Sequence, residues 1–442
     1  MKKNILKKNF FKYVLPSMLA FAFSGLYSVV DGLFIGRSIG DFGLAAVNFA
    51  YPLTVLIQGI GTGLGIGGAV GISIARGRRE SEEEHKFLGN TIVLLLIACF
   101  TLTTVLFIFS APLLRIFGAK DTTYIYAVEY IRVIILGATF QILANGLTPI
   151  IRNYGKAFLA MVSMILGFIT NIVLDWLFIV KLGYGMKGAA LATIIGQFVT
   201  MIPCLLFVIA KVKLMLPYHF RLLKKYIVNI VQTGLSPFGS AMAPYIVILI
   251  MNKYAFNYGG DEAVAAYAIV SYVMSFIQLL LQGIGDGSQP LMSYYYGNKE
   301  EKNVLKVRNL AYKFSATVAA VCVLAIVLLR KQIPVIFGAS SKALPITVQI
   351  LPIFALSFLL LAFLRITTSY FYATKNNGFS YILIYGEPVI SFILLIFVLP
   401  RIFGLNGVWF TIPSTHLLLV ISGFFLLLKE KSKQAKKAIL SH

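Results

Sequence analysis

Twelve long apolar stretches, parted by short polar breaks, run along the chain at 13–36, 45–74, 87–109, 124–148, 157–180, 188–210, 227–252, 263–296, 309–329, 343–374, 379–400 and 405–428. A helix needs about 20 apolar residues to cross a bilayer, and each stretch is long enough. Tilt or extension beyond the lipid absorbs the excess in the longer ones. The stretches are apolar throughout rather than on one stripe, as in helices surrounded by lipid. The ten-residue alternation of a membrane β-barrel is absent. The pattern predicts an all-α polytopic membrane protein of 12 transmembrane helices.

Composition agrees: 59% of the 442 residues are hydrophobic and only 12% are charged. Soluble domains carry about 25% charged residues, so soluble enzyme classes are excluded. The net charge of +23 would suit a nucleic-acid partner, but the Lys and Arg residues cluster between the apolar stretches, so no nucleic acid is expected. With twelve spans both termini share a side; the loops there hold 26 Lys and Arg against 10 opposite. That bias predicts a multi-pass protein of the cytoplasmic (inner) membrane with both termini cytoplasmic. The basic N-terminus reads as the start of an uncleaved first helix. Cys99, Cys204 and Cys322 are scattered, and His85, His219, His416 and His442 have no metal-ligand spacing, so neither a disulfide framework nor a zinc site is expected.

The basic run from Lys211 to Lys225 divides the chain. A shift of 220 residues superposes 40–77 on 260–297 with 11 identities in 38 positions, among them Gly40-Asp41 with Gly260-Asp261 and Gly77 with Gly297. A weaker echo pairs Gly185 and Gly188 with Gly404 and Gly407 at a shift of 219. Six spans per half give the repeats the same orientation, an arrangement found in transporters. The halves are expected at 1–215 and 227–442, joined by a cytoplasmic connector at 216–226.

The stretch from Gly63 to Gly68 fits the spacing G-x-G-x-x-G, but it lies within an apolar helix with no preceding strand. Gly59, Gly63, Gly67 and Gly71 recur every fourth residue, so they form a smooth face on which another helix packs. Pro237 and Pro244 in one span mark a candidate bending element.

The informative residues are acids within spans, where a carboxylate costs about 2.5–3.5 kcal/mol on insertion scales. Glu129 is expected to pair with Arg132 on its own helix. Asp31 and Asp175 have no basic residue within a turn. Asn171 lies one turn before Asp175, Tyr27 one turn before Asp31, and Thr193 on the following helix, so the five make a candidate polar pocket. An unpaired carboxylate there holds a proton or a cation, but not both comfortably. The bland alternative is a protonated acid bonded between helices. Asp286 and Gln289 are candidates for a weaker counterpart in the second half. Glu387 is an isolated acid.

These residues resemble the multidrug and toxic compound extrusion (MATE) family. The likeness lies in Val30-Asp31-Gly-Leu-Phe-Ile-Gly36, Asn171-Ile-Val-Leu-Asp175-Trp-Leu-Phe-Ile, Gly188-Ala-Ala-Leu-Ala-Thr193 and Gly283-Ile-Gly-Asp-Gly-Ser-Gln-Pro290 followed by Tyr296-Gly297. The resemblance implies a V-shaped pair of six-helix bundles. It also implies a secondary antiporter, not an enzyme, that exports small-molecule organic cations in exchange for H+ or Na+ by alternating access. It places the acidic site at Tyr27, Asp31, Asn171, Asp175 and Thr193, with Asp31, Asn171, Asp175 and Thr193 as the residues to hold a sodium ion. Two departures stand out. Pro237 to Lys253 carries no acid where a sodium-coupled branch has glutamate, and Asp286 stands where bacterial relatives often have glutamine. No cofactor beyond the coupling ion is expected, and a monomer in the lipid bilayer suffices. The competing reading is a flippase for lipid-linked oligosaccharides or phospholipids. It would need several Arg or Lys in the spans, and only Arg132, Lys313 and Arg365 fall there.

Overall fold

A computed structural model describes residues 2–213 and 215–440; Met1, Leu214, Ser441 and His442 lie outside the described residues. Every regular element among them is helical. In order they are α1 (Lys2–Ser38), α2 (Asp41–Arg78), α3 (Ser81–Ile116), α4 (Asp121–Leu136), α5 (Ala138–Asn153), α6 (Ala157–Asp175) and α7 (Gly185–Val212). Then follow α8 (Lys224–Gly297), α9 (Glu301–Leu329), α10 (Gln332–Ile336), α11 (Ala343–Ala373), α12 (Asn377–Ile393), α13 (Leu399–Phe403) and α14 (Leu405–Leu440).

All twelve expected spans fall on these helices. Among the described residues ten helical stretches are long and apolar enough to cross a membrane, one of them running through α12 and α13 from Asn377 to Phe403. The span expected at 124–148 is a bent pair, α4 and α5, meeting at 56° around Gly137. The spans expected at 227–252 and 263–296 run together as α8, whose helical geometry breaks at Gly260 (φ 65°, ψ −161°). Gly40, at the equivalent place between α1 and α2, has φ 83° and ψ −162°. This conformation is essentially restricted to glycine, which gives the Gly40–Gly260 identity its physical cause. The second echo has the same origin: Gly185 and Gly404 both take positive φ, 56° and 57°.

The chain forms two compact units, Met1–Met242 with Asp286–Val307, and Ala243–Gly285 with Arg308–His442. This division by packing differs from the division by repeat, because both ends of α8 belong to the first unit.

In the first unit α2 is central, packed on α3, α4 and α5, while α6 packs on α1 and α7. The glycine ladder explains the close approach. A Cβ at Gly63 would lie 2.9 Å from the Gly234 carbonyl oxygen of α8, and Gly67 meets the Ile230 carbonyl one turn away. Gly61, on another face, would bring a Cβ to 2.6 Å from the Ile142 carbonyl of α5. Gly71 packs instead on Phe87 of α3. The connector is fastened to the start of α3: Leu223 N–H donates to Asn90 Oδ1 at 3.1 Å, and Tyr226 donates to Glu83 at 2.8 Å. His219 Nε2 lies 3.0 Å from Glu82.

The second unit is built on α11, α12 and α14. Tyr267 from the middle of α8 packs with Phe354 and Trp409, ring centroids 5.9 and 6.2 Å away, all buried. The outward faces remain apolar: Phe100 is 75% exposed and Phe425 67% exposed, a distribution that lipid rather than water accommodates.

Candidate functional site

The acidic pocket assembles in the first unit from four helices. Asp175 ends α6 and is fully buried; the chain then passes into a π-helical turn, Trp176–Lys181. Such turns in a helix frequently occur at functional sites. Asn171, one turn earlier, donates from Nδ2 to the Thr193 hydroxyl of α7 at 3.5 Å, and that hydroxyl donates to the Ala189 carbonyl at 3.1 Å. Asp31 of α1 brings its carboxyl beside that of Asp175, close enough for the two to interact electrostatically. Tyr27 lies beside them, its ring stacked on Phe168 with centroids 5.3 Å apart. The structure therefore brings Tyr27, Asp31, Asn171, Asp175 and Thr193 together.

One member of the cluster carried no signal in the sequence. Tyr130, from α4, is buried beside Thr193 and within electrostatic reach of both carboxyls. It is one of 23 tyrosines, most of which serve as packing or interface residues.

The electrostatics are one-sided. Asp31 Oδ1, both oxygens of Asp175 and Asn171 Oδ1 are buried with no hydrogen-bond donor among the described residues. Four acceptor oxygens converging without a donor are costly in a low-dielectric interior. A proton shared between the carboxyls relieves the repulsion, and so does a cation. These are also the oxygen donors that hard cations prefer.

The remaining acids are placed differently from the sequence expectation. Asp286 and Gln289 are not at a pocket of the second half: both pack in the first unit. Asp286 Oδ2 lies 3.9 Å from Arg152 Nη1, both side chains buried. Gln289 forms a reciprocal amide pair with Asn153. Arg152, beyond the expected end of the fourth span, is thus a buried cation within a helix. Glu129 does not pair with Arg132. It meets Lys187 at 3.1 Å, while Arg132 is exposed, since α4 turns it outward. Glu387 is not isolated: its Oε1 lies 3.5 Å from His416 Nε2 in the second unit.

A multi-pass helical membrane protein with a sequence repeat and a buried acidic pocket in one unit has the organisation of a membrane transporter. The chain belongs to the MatE family: that family's sequence model matches residues 16–177 and 239–398, one stretch in each half. Among curated proteins it is similar to the multidrug export protein MepA of Staphylococcus saprophyticus, 24% identical over 413 residues, covering 92% of this chain and 90% of that protein. MepA of Staphylococcus aureus strain N315 is 25% identical over 423 residues, covering 92% and 90%. Among solved structures, a MATE protein in complex with MaL6 superposes with a TM-score of 0.90 at 26% identity, covering 98% of this chain and 97% of that one. A MOP superfamily transporter from Pyrococcus furiosus gives 0.89 at 25%, covering 97% and 96%.

Proposed function

We propose that this protein is a secondary multidrug efflux antiporter that exports organic cations in exchange for H+ or Na+. The observation that carries the reading is the donor-free cluster of acceptor oxygens at Asp31, Asn171 and Asp175. A site that must hold positive charge, and has room for one kind at a time, couples two cations by exclusion. H+ or Na+ entering from outside occupies the carboxyl pair and releases the organic cation. After the site turns inward, a cytoplasmic organic cation displaces the coupling ion. If sodium is the ion, Asp31, Asn171, Asp175 and Thr193 hold it.

The MepA relatives, described as multidrug export proteins, support the substrate class. The membrane potential contributes about 2.3 kcal/mol per charge per 100 mV, enough to drive accumulation without ATP. The loop charge bias supports an inner-membrane protein with cytoplasmic termini. We read the chain as a carrier that makes and breaks no covalent bonds and works as a monomer. A flippase for pyrophosphate-linked saccharides would need a cluster of unopposed cations, whereas buried Arg152 faces Asp286.

The test is reconstitution into vesicles with a fluorescent organic cation under a proton gradient and then a sodium gradient. Gradient-driven movement that Asp175→Asn abolishes is expected, and the effective gradient names the ion. Wild-type rates in Asp175→Asn would refute the coupling role.

A further inference from the structure

The second unit contains a buried ionisable cluster that the exchange mechanism above does not use. Glu387 of α12 and His416 of α14 approach to 3.5 Å, with the His416 side chain 2% exposed. Apart from this contact, neither ring nitrogen of His416 has a partner among the described residues. Arg365 of α11 joins Glu387 in lining a narrow cavity with Thr368, Leu383 and Ile384. The charge of Glu387 in turn acts on the Tyr267 hydroxyl, from the middle of α8. Ser391 and Thr415, close by along α12 and α14, satisfy each other at 3.1 Å.

The location is informative. At the shift of 219 that pairs Gly188 with Gly407, Glu387 corresponds to Phe168, the residue stacked on Tyr27 in the acidic pocket. α12 also passes into a π-helical turn, Leu394–Val398, just as α6 does after Asp175. The second repeat therefore sets an ionisable pair two helical turns before Leu394, its equivalent of Asp175.

The chemistry of the two places differs. With the imidazole neutral, Glu387 and Arg365 balance in charge. A proton on Nε2 converts the 3.5 Å contact into a charge-assisted hydrogen bond to the carboxylate and gives a buried nitrogen its partner. Histidine is the side chain whose ordinary titration falls between about pH 5 and 8. The cavity has room for no more than about one water molecule, far below the roughly 300–1,000 Å³ that drug-sized ligands occupy. It therefore suits a proton carried by water rather than an organic cation.

We propose that the second unit carries its own proton-binding site, in which His416 takes a proton from water and holds it against Glu387 beside Arg365. This site does not depend on the antiport reading, because it binds its proton whether or not the acidic pocket couples transport.

The test counts protons. Full-length protein in lipid nanodiscs, in unbuffered medium, is stepped from alkaline to mildly acidic pH while proton uptake is recorded. His416→Gln and Glu387→Gln are each expected to take up about one proton fewer per chain than wild type, and Asp175→Asn to retain that proton. Imidazole NMR of the wild-type protein gives a second readout, with His416→Gln identifying one signal among four histidines. The His416 signal is expected to shift across the same pH range. Equal uptake in wild type and both variants would overturn the proposal, as would a His416 signal constant with pH. Failure of the antiport reading would show in the vesicle assay and leave this count unchanged.

Discussion

The side-chain amides of Asn153 and Gln289, 136 residues apart, exchange two hydrogen bonds, each 3.1 Å long. They tie the end of α5 to the last turns of α8 inside the first unit. Ser73 donates to Asn153 Oδ1 at 2.7 Å, Arg76 to the Asn153 carbonyl at 2.7 Å, and Gln289 to Ser293 at 2.9 Å. Arg152 and Asp286 lie one position and one turn away, so the buried polar network adjoins their ion pair. Removing one partner of a buried pair costs about 1–3 kcal/mol, because the other is left unsatisfied. Gln289→Leu is expected to lower thermal stability by that amount. Asn153→Leu with Gln289→Leu should cost less than the sum of the single changes, a coupling of about 0.5–3 kcal/mol in a double-mutant cycle.

The glycine ladder of α2 predicts a contrast. A Cβ at Gly67 would collide with the Ile230 carbonyl, which belongs to a helix backbone and cannot swing away. Overpacking of this kind costs about 1–3 kcal/mol, so Gly67→Ala should lower the melting temperature and the yield of folded protein. Gly378, near the start of α12, has nothing within 4 Å of its Cβ position. Gly378→Ala should leave stability unchanged or raise it by about 0.4–1 kcal/mol, through the unfolded chain.

Much of this was legible in the sequence, and the misses have physical reasons. Hydrophobicity locates spans because lipid leaves no alternative to helix, and all twelve expected stretches are helical. The Gly40–Gly260 identity marked the repeat, and the structure supplies its cause in a shared backbone conformation. The five-residue pocket was legible because intramembrane acids are rare and helical spacing fixes their neighbours. Partners brought by the tertiary fold left no trace. Glu129 had Arg132 at helical spacing, yet Lys187 reaches it from the start of α7. Arg152 was read as a loop residue because nothing in the sequence shows the 56° bend at Gly137, which lets the fifth helix run on to Asn153. Asp286 was assigned by its repeat to the second half, whereas the end of α8 packs in the first unit.

Tyr130 tests whether the pocket extends beyond the residues that spacing revealed. Its hydroxyl interacts with Thr193, the neutral hydroxyl that also accepts from Asn171, and such a hydrogen bond contributes about 0.5–1.5 kcal/mol. Tyr130→Phe should weaken organic-cation transport by about two- to tenfold with the melting temperature little changed. Tyr258→Phe, at an exposed tyrosine, should behave as wild type.

The central claim is that the coupling ion and an organic cation exclude each other at Asp31 and Asp175. Equilibrium binding of tetraphenylphosphonium to purified protein, followed across pH and across sodium concentration, tests it most directly. The account predicts that apparent affinity falls about tenfold for each tenfold rise in whichever ion competes, once that ion is saturating, and that Asp175→Asn removes the dependence. Affinity that stays constant across both pH and sodium in the wild-type protein would contradict it.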